Sequence, residues 1–274
     1  MTKKFLLLFS LALGVISISA QTQNISIGVR AGLTIPNLTG GSGTPLSEGY
    51  STRAATGFGI FAEFKISKLF SIQPMLEYSQ QGAKKSGMQA FPLTDEQKAE
   101  FAQILTTVPD YFYANFKSTA KINYLMLPIL AKFGWDLGKN NHWRFYVDAG
   151  PYVGLLLNAH QVQTANGAQQ IYYDKAGTQP VEVPYQPDPS DPTNIVQVPL
   201  PAQSFDTTVS IKQDLHKGNF GLEGNVGFAY KFKRNTVFIE GGGNYSLINI
   251  QKYAVYGKNH SGAGTVMIGY AISL

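Results

Sequence analysis

Ten charged residues recur at alternate positions within otherwise apolar segments, and they are the first candidates for chemistry. Five are basic and five are acidic. Because alternate side chains of an extended strand point to one face, this spacing directs all ten to the same side of a β-structure. Balanced charges on one face predict an ion-paired network, for which a structural role is favoured over a catalytic one. The ten are Arg30, Glu63, Lys65, Glu77, Lys132, Arg144, Asp148, Glu223, Lys231 and Glu240.

A second candidate is the histidine pair His160 and His216, which flanks a long connection containing Asp174, Asp206 and Asp214. If neighbouring strands bring the two imidazoles together, a metal or acid/base site forms at the rim. That hypothesis makes the chain a lipid- or peptide-modifying enzyme. The alternative, solvated loop histidines, is favoured, and no serine occupies a recognisable nucleophile motif. We therefore assign no catalytic residue, no metal site and no cofactor.

The segments that carry the ten charges have the alternation of β-strands. The clearest pair, residues 121–133 and 143–157, forms a predicted hairpin around the polar turn at residues 135–142. Neither arm suits a transmembrane helix, because each contains charged residues and falls short of the about 20 apolar residues that a span needs. The same alternation predicts eight strands in all, the others at residues 24–35, 54–66, 69–81, 219–232, 236–248 and 262–274.

The first twenty residues differ from the rest of the chain. Lys3 and Lys4 precede a short apolar run that ends in small residues at Ala20, which is typical of a cleaved secretory signal. Residues 21–274 then form one domain, since no Gly/Ser linker divides them. Without the two signal lysines the net charge is about +3, too mild to indicate nucleic-acid binding. The absence of cysteine is compatible with export.

Two long connections separate the predicted strands, at about residues 82–118 and 158–217. The first contains Thr94 and Gln97 at capping-box spacing, followed by apolar residues at helical intervals, which predicts one short helix at residues 95–107. The second has a proline-rich stretch, residues 180–201, that predicts a polyproline-like loop. Its flanks, residues 160–173 and 204–212, have strand-like composition, and we expect them to prolong strands five and six. Pro74 lies within a predicted strand and lacks a ladder donor, so we expect a bulge or a local break there.

The connections also alternate in length, and this alternation indicates a transmembrane barrel rather than a soluble sandwich. Short turns follow strands two, four and six, whereas long loops follow strands one, three, five and seven, as in a transmembrane barrel. The apolar faces are nearly free of charge, and a cation placed in lipid near the midplane costs about 2 to 4 kcal/mol. Aromatic residues next to the short turns predict an interfacial girdle: Phe64, Phe70, Phe133, Trp135, Trp143, Tyr230 and Phe232.

Five segments of the chain resemble the PorT-like family of outer-membrane β-barrels, which is common in Bacteroidetes. They are YLMLPILAKF, FYVDAGPYVGLLL, GLEGNVGFAYKF, VFIEGGGNYSLINI and VMIGYAISL. The resemblance covers about residues 24–274 apart from the two longest loops. It implies an eight-stranded outer-membrane barrel, and some relatives are linked to protein secretion and gliding.

The predicted fold is therefore all-β: an eight-stranded antiparallel up-and-down transmembrane β-barrel with long extracellular loops, one short loop helix and periplasmic termini. An eight-stranded lumen is about wide enough for side chains to fill it. We expect a monomeric, non-enzymatic protein of the cell outer membrane, surrounded by outer-membrane lipids, that acts in surface binding or in envelope- or secretion-associated assembly with protein partners. A soluble periplasmic β-protein is a further alternative.

Aromatic residues of the long loops carry the recognition hypothesis. They supply large, amphipathic contact surfaces of the kind found at binding interfaces. An equally weighted alternative is that these rings fold the loops back over the barrel mouth. The residues are Tyr111, Tyr113, Tyr172, Tyr173 and Tyr185.

Overall fold

Eight long antiparallel strands dominate the computed structural model, which describes residues 25–105, 107–191 and 193–274. The predicted signal sequence lies outside these residues. The strands are β1 (Ile25–Ser42), β2 (Ala55–Lys65), β3 (Phe70–Pro92), β4 (Tyr111–Leu137), β5 (Trp143–Thr164), three short strands β6 (Glu182–Tyr185), β7 (Val196–Pro199) and β8 (Thr207–Ser210), and then β9 (Gly218–Phe232), β10 (Asn235–Ser246) and β11 (Lys258–Ser273); one α-helix, α1, spans Asp95–Phe101.

The eight long strands close into a ring. Each pairs with its neighbours along the chain, β5 pairs with β9, and β1 pairs with β11 along nearly its whole length. Closure leaves no free sheet edge in the barrel body, which is the condition for a sheet to cross a membrane. The prediction of an eight-stranded antiparallel up-and-down barrel is confirmed.

Side chains alternate between the lumen and the outer surface as the sequence predicts. Tyr124, Tyr146 and Met267 are fully buried in the lumen, whereas Ile268 is 65% exposed on the outer face. Because successive residues face opposite sides, a slip of one residue would place the lumenal charges in lipid. The apolar outer face and the polar lumen therefore fix the register of every strand.

Strands β3, β4 and β5 extend well beyond the predicted bounds. Pairing between β3 and β4 continues from Gly82 opposite Lys121 to Pro92 opposite Tyr111, so the predicted loop at residues 82–118 is wrong and only residues 93–110 connect the strands. In the second long connection, the strand-like flank at residues 160–173 prolongs β5 as far as Thr164, as predicted. The flank at residues 204–212 does not prolong the next barrel strand but contains the separate strand β8, which pairs with β5. Polar composition hid the extensions of β3 and β4, because a strand outside the membrane needs no apolar face.

The loop helix is shorter than predicted. The capping box of Thr94 and Gln97 is present, but α1 ends at Phe101 rather than at residue 107. The amide N–H groups of Gln103 and Ile104 donate to carbonyls three residues earlier, which tightens the chain into a turn. No helix within the described ranges is both long and apolar enough to cross a membrane.

The proline-rich stretch also differs from its prediction. Strands β6 and β7 pair as an antiparallel hairpin, from Glu182 opposite Pro199 to Tyr185 opposite Val196. Prolines are tolerated there because a two-stranded ribbon has outer edges that need no ladder donor. This segment is therefore an exposed hairpin rather than a polyproline-like loop.

Pro74 interrupts the barrel wall, as the sequence suggests. Pairing of β2 with β3 stops at Phe61 opposite Met75 and resumes in the same register at Phe64 opposite Ile72. A missing backbone donor explains a gap without a change of register. The feature is a local break in the ladder and not a bulge.

The outer face generates a stability prediction. Replacement of Ile268, which lies between Ala31 and Ile239 in the sheet, by lysine should lower the free energy of unfolding by about 2 to 4 kcal/mol, because a cation enters lipid. Urea titration of the protein in bilayers measures the loss. The control is Asn115→Lys, at an exposed position of the β4 extension, and an equal loss in both variants would contradict the membrane-spanning assignment.

Candidate functional site

The guanidinium of Arg30 joins four strands across the centre of the lumen. Nη1 donates to Glu240 Oε1 at 2.7 Å, and Nη2 donates to Glu223 Oε1 at 2.6 Å and to Glu77. All four side chains are at most 2% exposed. These residues lie on β1, β3, β9 and β10, so one cation links opposite sides of the barrel.

Glycines provide the space for this central cluster. Both cross-strand neighbours of Arg30 are glycines, Gly59 on β2 and Gly269 on β11. At Gly227 a Cβ atom would lie 2.3 Å from Cζ of Tyr146, closer than packed carbon atoms approach. The small residues therefore admit the long side chains that reach the barrel axis.

Neutral polar groups surround the same carboxylates. The Tyr146 hydroxyl donates to Glu240 Oε2 at 2.7 Å, and Asn225 Nδ2 donates to Asp148 Oδ1 at 2.9 Å and to Glu223 Oε1 at 3.2 Å. Such hydrogen bonds reduce the desolvation cost of buried acidic groups. They also attach Asp148 of β5 to the central cluster.

Lys132 forms a second cluster nearer to the short turns. Its Nζ donates to Glu63 Oε2 at 3.2 Å and to Gln73 Oε1 at 3.0 Å, and it lies 4.0 Å from the ring centroid of Tyr146. Ser71 donates to the other oxygen of Glu63 at 2.9 Å. This pair connects β2, β3 and β4.

A third cluster lies at the short-turn end, where the barrel opens. Asp136 Oδ1 accepts from Arg144 Nη1 at 2.9 Å and from Lys231 Nζ at 2.6 Å. Lys65 forms no ion pair within the described part of the chain, but it lines a small cavity of about 40 Å³ together with Arg144 and Lys231. Cations outnumber carboxylates here.

The ten predicted charges thus separate into layers. At the centre, Arg30 faces Glu77, Glu223 and Glu240, with Asp148 attached through Asn225. The remaining cations lie toward the short-turn end. The ten charges balance over the whole lumen, but at its centre the carboxylates outnumber the cations. A count of residues does not reveal this difference.

Apolar side chains close the lumen on the long-loop side of the charges. Tyr124, Met126, Tyr152 and Leu156 are all at most 4% exposed and pack in one cluster with Leu215 and Ile250 from the loops. Beyond them lies a cavity of about 250 Å³ between the extended strands and the loops. Its lining includes the polar side chains of Gln89, Gln161, Gln163 and Gln251 and the rings of Tyr50 and Tyr256. We call this space the outer cavity.

The two candidate histidines have separate surroundings. His160 is exposed on β5, opposite Lys121 and Ser210, whereas the backbone of His216 donates to Ile250. Asp174 accepts from Thr178 and Gln179, and Asp206 accepts from Ala165. Within the described residues, no group of three or more His, Cys, Asp or Glu side chains has the arrangement of a metal site.

The lining of the outer cavity includes the acidic residue Asp214. Burial raises the pKa of Asp214 above its usual value. Its backbone carbonyl accepts from the amide of Lys252 at 2.8 Å. Asp214 thus attaches the loop before β9 to the loop before β11.

The loop tyrosines divide between packing and exposure. Tyr113 pairs through its backbone with Tyr172, and the rings of Tyr111 and Tyr113 meet edge to face at 5.8 Å. Tyr173 packs against Phe112 at 5.4 Å. Only Tyr185 among these five is more than half exposed, at 54%. Four of the five therefore help to hold the loops against the extended strands.

Several residues of the clusters escape prediction from sequence. Tyr146, Gln73 and Asn225 are uncharged, so an inventory of charges omits them, although their alternation with outward residues marks them as lumenal. Asp136 lies in a segment that is predicted as a turn. Its role depends on the approach of β9 to the β4–β5 turn, where the backbone amide of Lys231 donates to the carbonyl of His142. Long-range pairing of this kind has no local signal.

The geometry defines a membrane-spanning β-barrel with a closed lumen. A family model described as outer membrane protein beta-barrel domain matches residues 19–252. The chain therefore belongs to this family of outer-membrane proteins. No curated protein matches it significantly.

Solved structures with a similar fold share little sequence with the chain. Neisserial surface protein A is 11% identical, with a TM-score of 0.37, over 90% of this chain and 97% of that one. Ail, the attachment invasion locus protein of Yersinia pestis, is 9% identical, with a TM-score of 0.36, over 91% and 99%. The N-terminal barrel of Pseudomonas aeruginosa OprF is 11% identical, with a TM-score of 0.29, over 91% and 98%. At this similarity the neighbours carry no argument about function.

The central cluster generates a second stability prediction. Arg30→Met should lower the free energy of unfolding by about 3 to 5 kcal/mol, because it leaves buried carboxylates without their cation. Glu77→Gln should lower the free energy of unfolding by less, since it removes one carboxylate from a centre where carboxylates outnumber cations. Urea titration in bilayers compares the two, with Lys231→Met as a control for an ion pair that is partly exposed. An equal cost for Arg30→Met and Glu77→Gln would contradict the proposed shortage of positive charge.

Proposed function

We propose that this protein is a non-enzymatic outer-membrane barrel with a filled lumen, whose long-loop end binds a partner in surface recognition or in envelope- or secretion-associated assembly. The observation that carries the proposal is the succession of side-chain layers across the lumen: ion pairs around Asp136 and Lys132, the Arg30 cluster, and the apolar cluster of Tyr124 and Tyr152. Such a lumen has no room for a water-filled channel.

The long-loop end supports a binding role through its rigid construction. Continuous pairing carries β3 and β4 outward as far as Pro92 and Tyr111. Phenylalanines pack the loops onto this extension, with Phe116 stacked on Phe205 at 4.9 Å. An ordered platform loses little entropy when a partner binds. The outer cavity and the exposed Tyr185 hairpin are the surfaces that it presents.

The resemblance to PorT-like barrels favours an assembly role linked to secretion. Both ends of the described barrel lie at the short-turn end, where the amide of Leu274 donates to the carbonyl of Ile25. We assign this end to the periplasm and the long loops to the exterior, following the usual arrangement of outer-membrane barrels. The same arrangement suits a monomer with lipid around the whole barrel.

Labelling of single cysteines tests the orientation, because the chain contains no cysteine. A membrane-impermeant maleimide should modify Tyr185→Cys in intact cells. The matched control Lys139→Cys, on the exposed β4–β5 turn, should react only after the outer membrane is opened. Reaction of Lys139→Cys alone in intact cells would reverse the proposed orientation.

Conductance measurement tests the filled lumen. Purified, folded protein in planar bilayers should give no large and stable single-channel steps, because side chains occupy the barrel axis. A porin reconstituted in the same bilayers serves as the positive control, and a heat-dependent shift on a gel verifies folding. Reproducible large steps from the folded protein would contradict a closed lumen.

A further inference from the structure

The short-turn end of the barrel is strongly basic. Lys68, Lys139, Lys233 and Arg234 are exposed on its three turns, and none of them pairs with a carboxylate within the described ranges of the chain. Lys65, Arg144 and Lys231 lie just inside the same opening. Against these seven cations stand Glu63, which pairs with Lys132, and Asp136, which Arg144 and Lys231 share. We call the four exposed cations the basic rim.

Hydrogen bonds join the three turns into one surface. Arg144 Nη2 of β5 donates to the carbonyl of Lys68 at 3.1 Å, which attaches the β2–β3 turn. The amide of Lys231 donates to the carbonyl of His142 at 2.7 Å, which attaches the β4–β5 turn to β9. Arg234 Nε donates to Ser273 at 3.0 Å. The basic rim is therefore a contiguous and ordered face of the barrel.

An aromatic girdle lies directly beside the basic rim on the lipid-facing surface. Trp135 is 44% exposed and Trp143 is 55% exposed. Their rings pack against residues of the neighbouring strands, Trp135 on Phe145 and Trp143 on Tyr230. Exposed amphipathic rings of this kind lie at the headgroup level of a membrane. The adjacent ammonium and guanidinium groups consequently lie at the depth of lipid phosphates.

We infer that the basic rim binds the headgroups of anionic phospholipids and gathers these lipids around the short-turn end of the barrel. The girdle supplies the contact with the acyl chains, and the rim supplies the contact with the phosphates. A net negative headgroup suits this face better than a zwitterionic one, because each cation near an anionic surface contributes about 1 kcal/mol, or about a fivefold enrichment. An acidic protein would also satisfy the charge, but it would leave the exposed girdle rings unexplained.

Both tryptophans of the chain belong to this girdle, so intrinsic tryptophan fluorescence reports on the rim alone. Bromine on an acyl chain quenches a tryptophan in contact with it. The protein is reconstituted in vesicles of phosphatidylethanolamine and phosphatidylglycerol in equal amounts, with bromine on one lipid at a time. We expect brominated phosphatidylglycerol to quench severalfold more than brominated phosphatidylethanolamine, and high salt to reduce the difference.

The test variant neutralises the rim by Lys68→Gln, Lys139→Gln, Lys233→Gln and Arg234→Gln. The control variant makes the same loss of charge at exposed positions of the long-loop end, by Lys117→Gln, Lys121→Gln, Lys175→Gln and Lys217→Gln. Preferential quenching should disappear in the test variant and persist in the control, with heat-dependent migration confirming that both fold. Equal quenching by the two lipids in the unaltered protein, or loss of the preference in both variants, would overturn the inference.

Discussion

The shared ion pair of Arg30 is the interaction on which the rest of the structure depends. One guanidinium holds Glu77, Glu223 and Glu240, which come from strands that lie on different sides of the ring. Its position at the axis requires glycines beside it, fixes which face of each strand is lumenal, and fills the centre of the barrel with side chains. A buried cation destabilises the fold unless its carboxylates are also in place. The strand register sets the positions of all four residues, so the register and the filled lumen depend on each other.

The fold within the membrane follows from the sequence, whereas the fold outside it does not. Alternation of apolar and polar residues identifies all eight strands, because lipid on one side and ions on the other impose a strict period of two. Outside the membrane that contrast disappears. Segments such as residues 82–92 then resemble a loop in composition, although Gly82 to Pro92 pair continuously with β4. The shorter α1 has a similar cause, because its capping box fixes the start of the helix and nothing in the sequence fixes the end.

The alternation in the sequence places the lumenal charges on one face, but it does not show how they group into clusters. The partners of Arg30 are from 47 to 210 residues away in the chain, and no local pattern specifies such contacts. The layers depend on the shear of the barrel, because the shear sets the height of each residue along the barrel axis. The acidic centre and the basic short-turn end are consequences of this geometry. They give the two ends of the barrel different environments, a packed platform with a cavity at one and a cationic rim at the other.

The state of the Arg30 side chain in a membrane shows whether this ion pair holds the lumen together. Solid-state NMR of the protein with labelled arginine and glutamate measures the couplings between the guanidinium nitrogens and the carboxyl carbons of Glu77, Glu223 and Glu240. We expect strong couplings to all three and slow exchange of the guanidinium protons with water. A rapidly exchanging guanidinium without these couplings would show that water enters the lumen, and would contradict the central role of the cluster.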